Sequence, residues 1–279
     1  MFGRRRGHDQ TKPILDDELW SLIQPLLPPL KPRPTRYPGR KPLDDRAVLT
    51  GILFMLQSCI PWEMLPQEMG CSSGMSCWRR LRYWQQAGVW DRLHEVLPAK
   101  LRAADRIDWS RVVVDSSSIR AVGSKSKTGP NPTDRARHDS KHHLITEAHG
   151  IPLVLILTGT NRNGITQLLP LIDAIPPIRG KRGRLRSKPV IVQAERGYDQ
   201  GKDRKPLHDV GIVTQIARRD EPNGSGFGKT RWVIESTFAW LHNFRRLRIR
   251  FERLAAIHEA FLKIAACVIC WRHLQNSLC

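Results

Sequence analysis

A short apolar run that ends in an acid, RVVVD, occupies positions 111–115. Three consecutive valines are typical of a strand that is buried on both faces of a sheet. A second run of this kind, PVIVQAE at 189–195, also ends in an acid. The two runs predict neighbouring strands whose ends bring the carboxylates of Asp115 and Glu195 together.

Strands and helices alternate on both sides of these runs. The predicted strands and helices are HHLITEAHGIPLVLILT (142–158, two strands around a turn), ITQLLPLIDAI (165–175, helix), KDRKPLHDV (202–210, helix), GIVTQIARR (211–219, strand), TRWVIESTFAWLHNFRRL (230–247, helix) and a last helix over 256–274. The order strand, strand, strand, helix, strand, helix, strand, helix predicts an α+β or α/β fold with a mixed sheet and flanking helices.

The N-terminal part predicts helices only. A first helix fits 16–27, a proline-rich linker lies near 28–42, and an apolar helix fits 44–58. We therefore predict two domains, a helical one over 1–105 and a mixed-sheet domain over 106–279.

A helix-turn-helix is predicted between the second of these helices and residue 86. IPWEMLPQEM suggests a short helix near 61–69, Gly70 can end it, and Ser72 or Ser73 can cap a helix at 74–86. On that second helix Arg79, Arg80 and Arg82 could reach DNA, while Trp78, Leu81 and Trp84 could face the core. A plain helical bundle with a solvated basic face is the alternative.

Charge is the main global feature. The chain has 46 Lys and Arg against 26 Asp and Glu, a net charge of +20 and a pI near 10.5. Such a charge favours a polyanionic partner, DNA or RNA, and the alternative is a ribosomal or merely basic protein. No apolar run is long enough for a membrane span, and no apolar stretch follows Arg4–Arg6 as in a signal peptide, so we expect a cytoplasmic protein without membrane contact.

Other motifs predict no further cofactor. Cys267 and Cys270 form a CxxC, but AACVICW resembles a buried helix face more than a zinc site. The segment GSGFG lacks the Lys-Ser/Thr of a P-loop, so no nucleotide is expected. The histidines of the 138–149 segment do not share one strand face, which favours solvent or DNA contact over zinc: His138, His142, His143 and His149.

Three acids suggest a metal site. Asp115 and Glu195 end strands, and Glu235 lies in a helix beside Ile234 and Phe238, where a buried charge would need a partner or a metal. Carboxylate oxygens are suited to Mg²⁺ or Mn²⁺, and two such ions can activate an attacking oxygen and stabilise a leaving one at phosphorus. The alternative is that these acids lie on the surface or pair with arginines.

The chain resembles, over nearly its whole length, the DDE-type transposases of bacterial insertion sequences, whose catalytic core has the ribonuclease-H-like fold. The matching stretches are VVVDSSSIRA (112–121), TGPNPTDRAR (128–137), SKHHLITEAHGIPL (140–153), QLLPLIDAIPPIRGKRGR (167–184), ERGYD (195–199) and RWVIESTFAWLHNFRRLRIRFER (231–253). The resemblance implies that Asp115 and Glu235 are the first and third catalytic acids, with Arg231 as the signature arginine. His242 replaces the expected lysine, and residues 15–95 correspond to the DNA-binding region.

The second acid departs from the family. Where the family has DRGYD, this chain has ERGYD, so the second catalytic acid is expected to be Glu195, whose side chain is one methylene longer. Because catalytic geometry tolerates only about 0.5 Å, the substitution could impair cleavage. Asp199 is a weak substitute, and Glu147 is the next acid to consider.

The predicted function is metal-dependent cleavage and strand transfer of DNA by a transposase that binds the terminal inverted repeats of its element. The partners are element ends and target DNA, with a homodimer on DNA and association with the nucleoid. The alternatives are an impaired copy that only binds DNA and a metal-dependent nuclease without strand transfer. Beyond the helix at 74–86, the expected DNA-binding residues are Lys141, His142, Arg231, His242, Arg245, Arg246 and Arg248, with Arg250 continuing the basic stripe.

Overall fold

The computed structural model describes residues 13–29, 35–36, 41–123, 126–177, 188–199, 201–218 and 228–275. Most of the expected proline-rich linker, the basic loop before 188 and the glycine-rich loop before 228 lie outside these ranges. The N-terminal helices are α1 (Asp17–Ile23), α2 (Asp45–Ser58), α3 (Gly74–Gln86) and α4 (Val89–Ala103). Asp16 and Asp44 cap α1 and α2, because each carboxylate accepts a bond from the backbone N–H three residues on.

The segment before α3 differs from the prediction. The expected short helix at 61–69 is two 3-10 turns, Trp62–Met64 and Gln67–Met69. Pro66 separates the turns, since its ring supplies no N–H to continue a helix. Gly70 then adopts φ 67° as predicted, and the Ser73 hydroxyl accepts a bond from Ser76 N–H to cap α3.

One mixed sheet follows. Its strands are β1 (Arg111–Ala121), β2 (Gly129–Pro130), β3 (His138–Glu147), β4 (Pro152–Gly159), β5 (Ile191–Ala194), β6 (Val213–Ile216) and β7 (Ile249–Arg250). The spatial order is β2-β3-β1-β5-β6, with β4 paired to β3 and β7 to the end of β1. β1 is antiparallel to β3 and parallel to β5, and β5 is parallel to β6.

Helices α5 (Leu168–Asp173), α6 (Gly201–Asp209), α7 (Gly228–Asn243) and α8 (Ala255–Gln275) flank the sheet. The predicted order of strands and helices after residue 110 is therefore confirmed, as is the fold class: N-terminal helices followed by a mixed sheet with flanking helices. β2 and β7 were missed, because a strand of two residues has no readable pattern. β1 was expected to end at Asp115, but it continues to Ala121, so Asp115 lies within the strand.

β1 organises the core because its residues alternate between the two faces of the sheet. Val112 and Val114 pack with α5 and α6, whereas Val113 packs with α7, α8 and the N-terminal helices. Asp115 follows Val113 by two positions and therefore projects from the α7 side. The core that contains Val113 includes residues from Leu15, near the start of α1, to Trp271 of α8. The N-terminal helices and the last two helices therefore share one apolar interior.

The last helix, α8, contains the CxxC pair. Cys267 and Cys270 lie in the interior face of α8, which confirms their structural role. Among the described helices, none has both the length and the apolarity that crossing a membrane requires.

Candidate active site

Asp115 lies on the central strand and is partly buried. The backbone N–H of Ser116 donates to Asp115 Oδ1 at 2.7 Å. The pKa of Asp115 is raised to about 6, mainly by burial. The nearby carboxylates of Glu195 and Glu235 also raise this pKa, whereas the Ser116 N–H and Arg231 lower it. The three acids are thus close enough to influence one another.

Arg231 lies between the other two acids. Its guanidinium nitrogens are 3.6 Å from Glu195 Oε2 and 3.5 Å from Glu235 Oε1. Glu195 directly follows β5, whose Ala194 pairs with Val114 of β1, so the parallel pairing of β5 with β1 holds Glu195 beside Asp115. Glu235 comes from α7, one turn after Arg231. Acids that follow β5 and lie on α7 therefore meet at one cationic side chain, which also acts electrostatically on Asp115 of β1.

The reason given for Glu235 from sequence is wrong. The Glu235 side chain is 63% exposed, so it is not a buried charge in need of a partner. Ile234 and Phe238 face the core on the other side of α7, and Trp232 is itself 59% exposed. The position of Glu235 beside Arg231 and near Asp115, and not its burial, makes it a site candidate.

The three acids have the chemistry that a divalent cation requires, but their side chains are not positioned to bind one. Carboxylate oxygens from three elements are a hard donor set, and their mutual effect on the pKa of Asp115 shows crowded negative charge. Within the described ranges, however, no group of three or more His, Cys, Asp or Glu side chains is positioned to hold a metal ion. Glu195 and Glu235 face Arg231 instead, and both are exposed enough to turn towards Asp115.

Asp199 and Glu147, the acids considered in place of Glu195, have other partners. Asp199 Oδ1 accepts bonds from Arg204 Nε at 3.0 Å and Nη2 at 2.7 Å. Glu147 is fully buried at the far end of β3 and accepts bonds from the backbone N–H groups of Asp108, His149 and Ile151. Glu147 therefore organises a turn outside the site.

Tyr198 is a site neighbour that the sequence analysis passed over. It is 2% exposed, and a side chain at Gly164 would lie 2.8 Å from its hydroxyl and 3.2 Å from Ser116 Oγ. Burial raises the pKa of Tyr198, and Asp115 and Glu195 act in the same direction. Its place in ERGYD was the signal that could have identified it.

The arginines of α3 divide into two kinds. Arg79 and Arg82 are exposed, and Arg82 lies over the Trp78 ring at 5.8 Å. Arg80 is half-buried, 2.8 Å from Asp45 of α2, and lies over Trp84. Leu81 and Trp84 are buried as predicted. Arg80 thus ties α3 to α2, which leaves Arg79 and Arg82 as the outward cations.

Several expected DNA contacts are buried, and those assignments are wrong. His142 is inaccessible and forms a 2.9 Å Nε2–Nε2 contact with His258, and His143 is buried against Thr158, because helices and strands cover both faces of β3. Arg246 is buried between the rings of Trp62 and Phe261. It bonds Glu252 and the Ile60 carbonyl.

The basic stripe is therefore shorter than predicted. Arg250 is also fully buried and bonds Ser140 Oγ at 2.9 Å. Since α7 ends at Asn243, these arginines do not share one helix. Arg245 and Arg248 are exposed, and Arg248 Nε donates to the carbonyl of His242, whose ring is partly buried. Lys141 is partly buried, with Nζ donating to the Arg162 carbonyl at 3.1 Å.

Comparison with known families supplies the identity that geometry alone does not. Residues 15–94 match the family described as "Putative transposase of IS4/5 family", and residues 109–271 match "Transposase DDE domain". The chain belongs to the DDE transposases. Members of this family act on DNA by phosphoryl transfer and use a divalent metal ion.

Relatives of this DDE transposase come from a bacterial insertion element. It is 59% identical over 167 residues to "Putative transposase for insertion sequence element IS402" of Burkholderia cepacia, covering 60% of this chain and 77% of the relative. It is 68% identical over 122 residues to "Insertion element IS402 uncharacterized 16.2 kDa protein" of the same organism, covering 44% of this chain and 83% of that protein.

Solved transposase structures are more distant. The Mos1 strand transfer complex aligns over 85% of this chain and 76% of its own, with 11% identity and a TM-score of 0.36. The Mos1 mariner paired-end complex with Mn aligns over 84% and 78%, with 13% identity and a TM-score of 0.31.

Proposed function

We propose that this DDE transposase binds the terminal inverted repeats of its insertion sequence, nicks the DNA to free 3′-hydroxyls and joins them to target DNA. Asp115, Glu195 and Glu235 are its catalytic acids. One observation supports this assignment above the others: Arg231 reaches both Glu195 and Glu235, and these two acids act on the pKa of Asp115.

The same acids would hold Mg²⁺ or Mn²⁺. A bound ion supplies charge stabilisation at phosphorus and lowers the pKa of the attacking hydroxyl or water. The side chains of the site position the metal ligands and the phosphate. Asp115 is fixed by the Ser116 N–H, while Glu195 and Glu235 turn from Arg231 towards it. Arg231 is then released to pair with a phosphate oxygen, for which a guanidinium is well shaped.

Glu195 favours a second candidate, a protein that binds element ends without cutting them. A glutamate that follows β5 directly extends one carbon further than an aspartate, and here it extends to Arg231. If its carboxylate cannot return to Asp115, the ends are held but the phosphate is not attacked.

We assign DNA recognition to the N-terminal helices, within a DNA-binding domain over 1–105 that precedes a catalytic domain over 106–279. Arg79 and Arg82 are the outward cations of α3 and contact the terminal repeat. Pairing of two ends calls for a homodimer on DNA. A substrate of this kind places the protein at the nucleoid, in the cytoplasm.

Purified protein incubated with end-bearing DNA and Mg²⁺ or Mn²⁺ tests the proposal. Nicked and joined products are expected, and Asp115→Asn should abolish them while end binding persists. Asp173→Asn, an exposed acid on α5, is the matched control and should cut normally. Cleavage by the Asp115 variant would contradict the assignment.

Glu195→Asp separates the two candidates. Shortening the side chain should raise cleavage, and a tenfold gain corresponds to about 1.4 kcal/mol of transition-state stabilisation. An inert wild type with an active Asp variant would favour the end-binding candidate. Equal rates for the wild type, Glu195→Asp and Glu195→Gln would remove Glu195 from the site.

A further inference from the structure

Tyr198 lies beyond the end of β5, beside the part of β1 that β5 does not reach. β5 ends at Ala194, which pairs with Val114, whereas β1 continues to Ala121. Asp115 is therefore the first residue of β1 beyond the β5 pairing. After Glu195 the chain forms a 3-10 turn that ends at Tyr198, whose side chain packs in the same core as Val114.

The Tyr198 hydroxyl is buried close to the side chain of Ser116. Tyr198 is 2% exposed, and within the described residues its hydroxyl has no partner at normal hydrogen-bonding geometry. A Cβ atom at Gly164 would lie 2.8 Å from this hydroxyl and 3.2 Å from Ser116 Oγ. Burial raises the pKa of Tyr198, and Ser116 lies near enough to oppose this as a hydrogen-bond partner. A buried O–H is costly without an acceptor, and rotation of the Ser116 side chain supplies one.

Ser116 connects this buried hydroxyl to Asp115 on the other face of the sheet. Consecutive residues of a strand project to opposite faces, so Asp115 projects from the α7 side and Ser116 from the Tyr198 side. The backbone N–H of Ser116 donates to Asp115 Oδ1 at 2.7 Å. A bond that holds the Ser116 side chain therefore also holds the N–H group that orients the Asp115 carboxylate.

Tyr198 is also tied to the second acid. Its backbone N–H donates to the Glu195 carbonyl at 2.9 Å and closes the turn that follows β5. The buried ring therefore anchors the backbone from which the Glu195 side chain extends. In addition to burial, the carboxylates of Asp115 and Glu195 raise the pKa of Tyr198, so the ring lies within electrostatic range of both acids.

We propose that Tyr198 is a positioning residue for cleavage: its ring anchors the Glu195 turn, and its hydroxyl, bonded to Ser116, sets the orientation of the Asp115 carboxylate. This inference rests on the proposed function, in which both acids are catalytic. Since catalytic groups must be held within about 0.5 Å, a bond on the far face of the sheet can affect the rate. If Tyr198 only filled the core, its hydroxyl would be dispensable.

Cleavage of bound element ends in a single turnover tests the hydroxyl. Tyr198→Phe keeps the ring, so the Kd for end-bearing DNA should change by less than about twofold, while the cleavage rate should fall about tenfold. Ser116→Ala should have the same effect. The double variant should lose no more than either single variant, because both remove one bond. Gly164→Ala keeps both hydroxyls but brings a methyl group against that of Tyr198, so it should also slow cleavage.

A core variant separates positioning from loss of stability. Ile175 is buried in the same core as Tyr198, and Ile175→Val should lower the unfolding midpoint without slowing cleavage. If the wild type cuts too slowly to follow, the rates are compared in the Glu195→Asp background. An unchanged rate in Tyr198→Phe would overturn the inference, as would independent, multiplying losses in Tyr198→Phe and Ser116→Ala.

A spectroscopic measurement without DNA keeps this inference distinguishable from the proposed function. The chain has three tyrosines, so labelling tyrosine with ¹³C at Cζ gives three NMR signals, and Tyr198→Phe identifies that of Tyr198. Asp115→Asn and Ser116→Ala should each shift this signal and leave that of exposed Tyr83 in place. A Tyr198 signal that does not move in Asp115→Asn would overturn the inference even if the protein cuts DNA. A wild type that neither binds nor cuts element ends, but shows the shift, would refute the proposed function and retain the link between Tyr198 and Asp115.

Discussion

Lowering the pH from 7.5 to 5.5 should destabilise the folded protein through three buried histidines. His142 of β3 and His258 of α8 are stacked with ring centroids 5.1 Å apart, and their Nε2 atoms are 2.9 Å apart. His143 Nε2 is 2.8 Å from Thr158 Oγ1. All three side chains are inaccessible to water, so a proton added to any of them would be placed in a poorly solvated interior.

Burial is the main cause of their depressed pKa values. The pKa of His142 is lowered to about 3 and that of His143 to about 4, and that of His258 lies well below its usual value. Positive neighbours, including Arg250 and Lys141, act in the same direction. The folded state therefore stays unprotonated at these sites, whereas the unfolded chain takes up protons below about pH 6.5. The stabilising contribution is complete above pH 6.5 and is lost as the pH falls towards the folded pKa values.

The expected loss is large for a marginally stable protein. At pH 5.5 each histidine costs about 1.4 kcal/mol relative to pH 7.5, so three cost about 4 kcal/mol. The raised pKa of Asp115 opposes this loss of stability, because at pH 5.5 the folded state binds a proton at Asp115 that the unfolded state does not. That proton stabilises the folded state by roughly 0.8 kcal/mol at pH 5.5. The free energy of unfolding should therefore fall by at least about 3 kcal/mol.

Urea unfolding at the two pH values measures this difference. His143→Gln can keep a bond to Thr158 and should reduce the pH-dependent loss by about 1.4 kcal/mol, whereas His138→Gln, at an exposed position, should leave it unchanged. Unfolding free energies that agree within error at pH 7.5 and 5.5 would refute the reasoning, as would an undiminished loss in His143→Gln.

Three further changes test other parts of the structure by urea or thermal unfolding. Ala136→Gly should stabilise by about 0.5–1 kcal/mol, since glycine relieves the positive φ at some entropic cost, whereas Ala103→Gly at the end of α4 should not stabilise. Glu147→Gln should cost about 2 kcal/mol, because an amide cannot accept all the N–H bonds that the carboxylate accepts; an unchanged midpoint would contradict its structural role. Arg246→Ala should cost about 3 kcal/mol by leaving Glu252 buried without its guanidinium, and the loss should be smaller in the double variant Arg246→Ala, Glu252→Ala. Additive losses in that pair would show that the ion pair contributes nothing.

The strands were predictable because their signal is local. Val112–Val114 are apolar on consecutive positions, as a strand covered on both faces must be, and Glu195 follows directly from where β5 ends. The prediction that β1 also ends at its acid was wrong, because β1 continues past Asp115 to Ala121. The two 3-10 turns before α3 were not predicted, because proline limits the helix but does not by itself say which shorter turn replaces it.

Burial of charged side chains was the part that the sequence could not supply. Arg246 is adjacent to Arg245 in a basic run, yet one is buried and the other exposed. The difference lies in distant partners, the Ile60 carbonyl and the Trp62 ring, which contact Arg246 only after the fold has formed. Glu235 was expected to be buried because its neighbours in the sequence are apolar. Residues adjacent in a helix point about 100° apart, so apolar neighbours in the sequence do not imply apolar surroundings in the structure.

The continuous interior from Leu15 to Trp271 has a consequence for modularity. A chimera that grafts these N-terminal helices onto the sheet of a different transposase would have to match the faces of α7 and α8 side chain for side chain. Removing the N-terminal helices would expose Phe261 and its apolar neighbours. The remaining protein would then carry an apolar surface that favours aggregation. If α3 contacts the terminal repeat as proposed, a new preference for element ends is therefore more readily introduced by exchanging the outward residues of α3 than by exchanging whole segments.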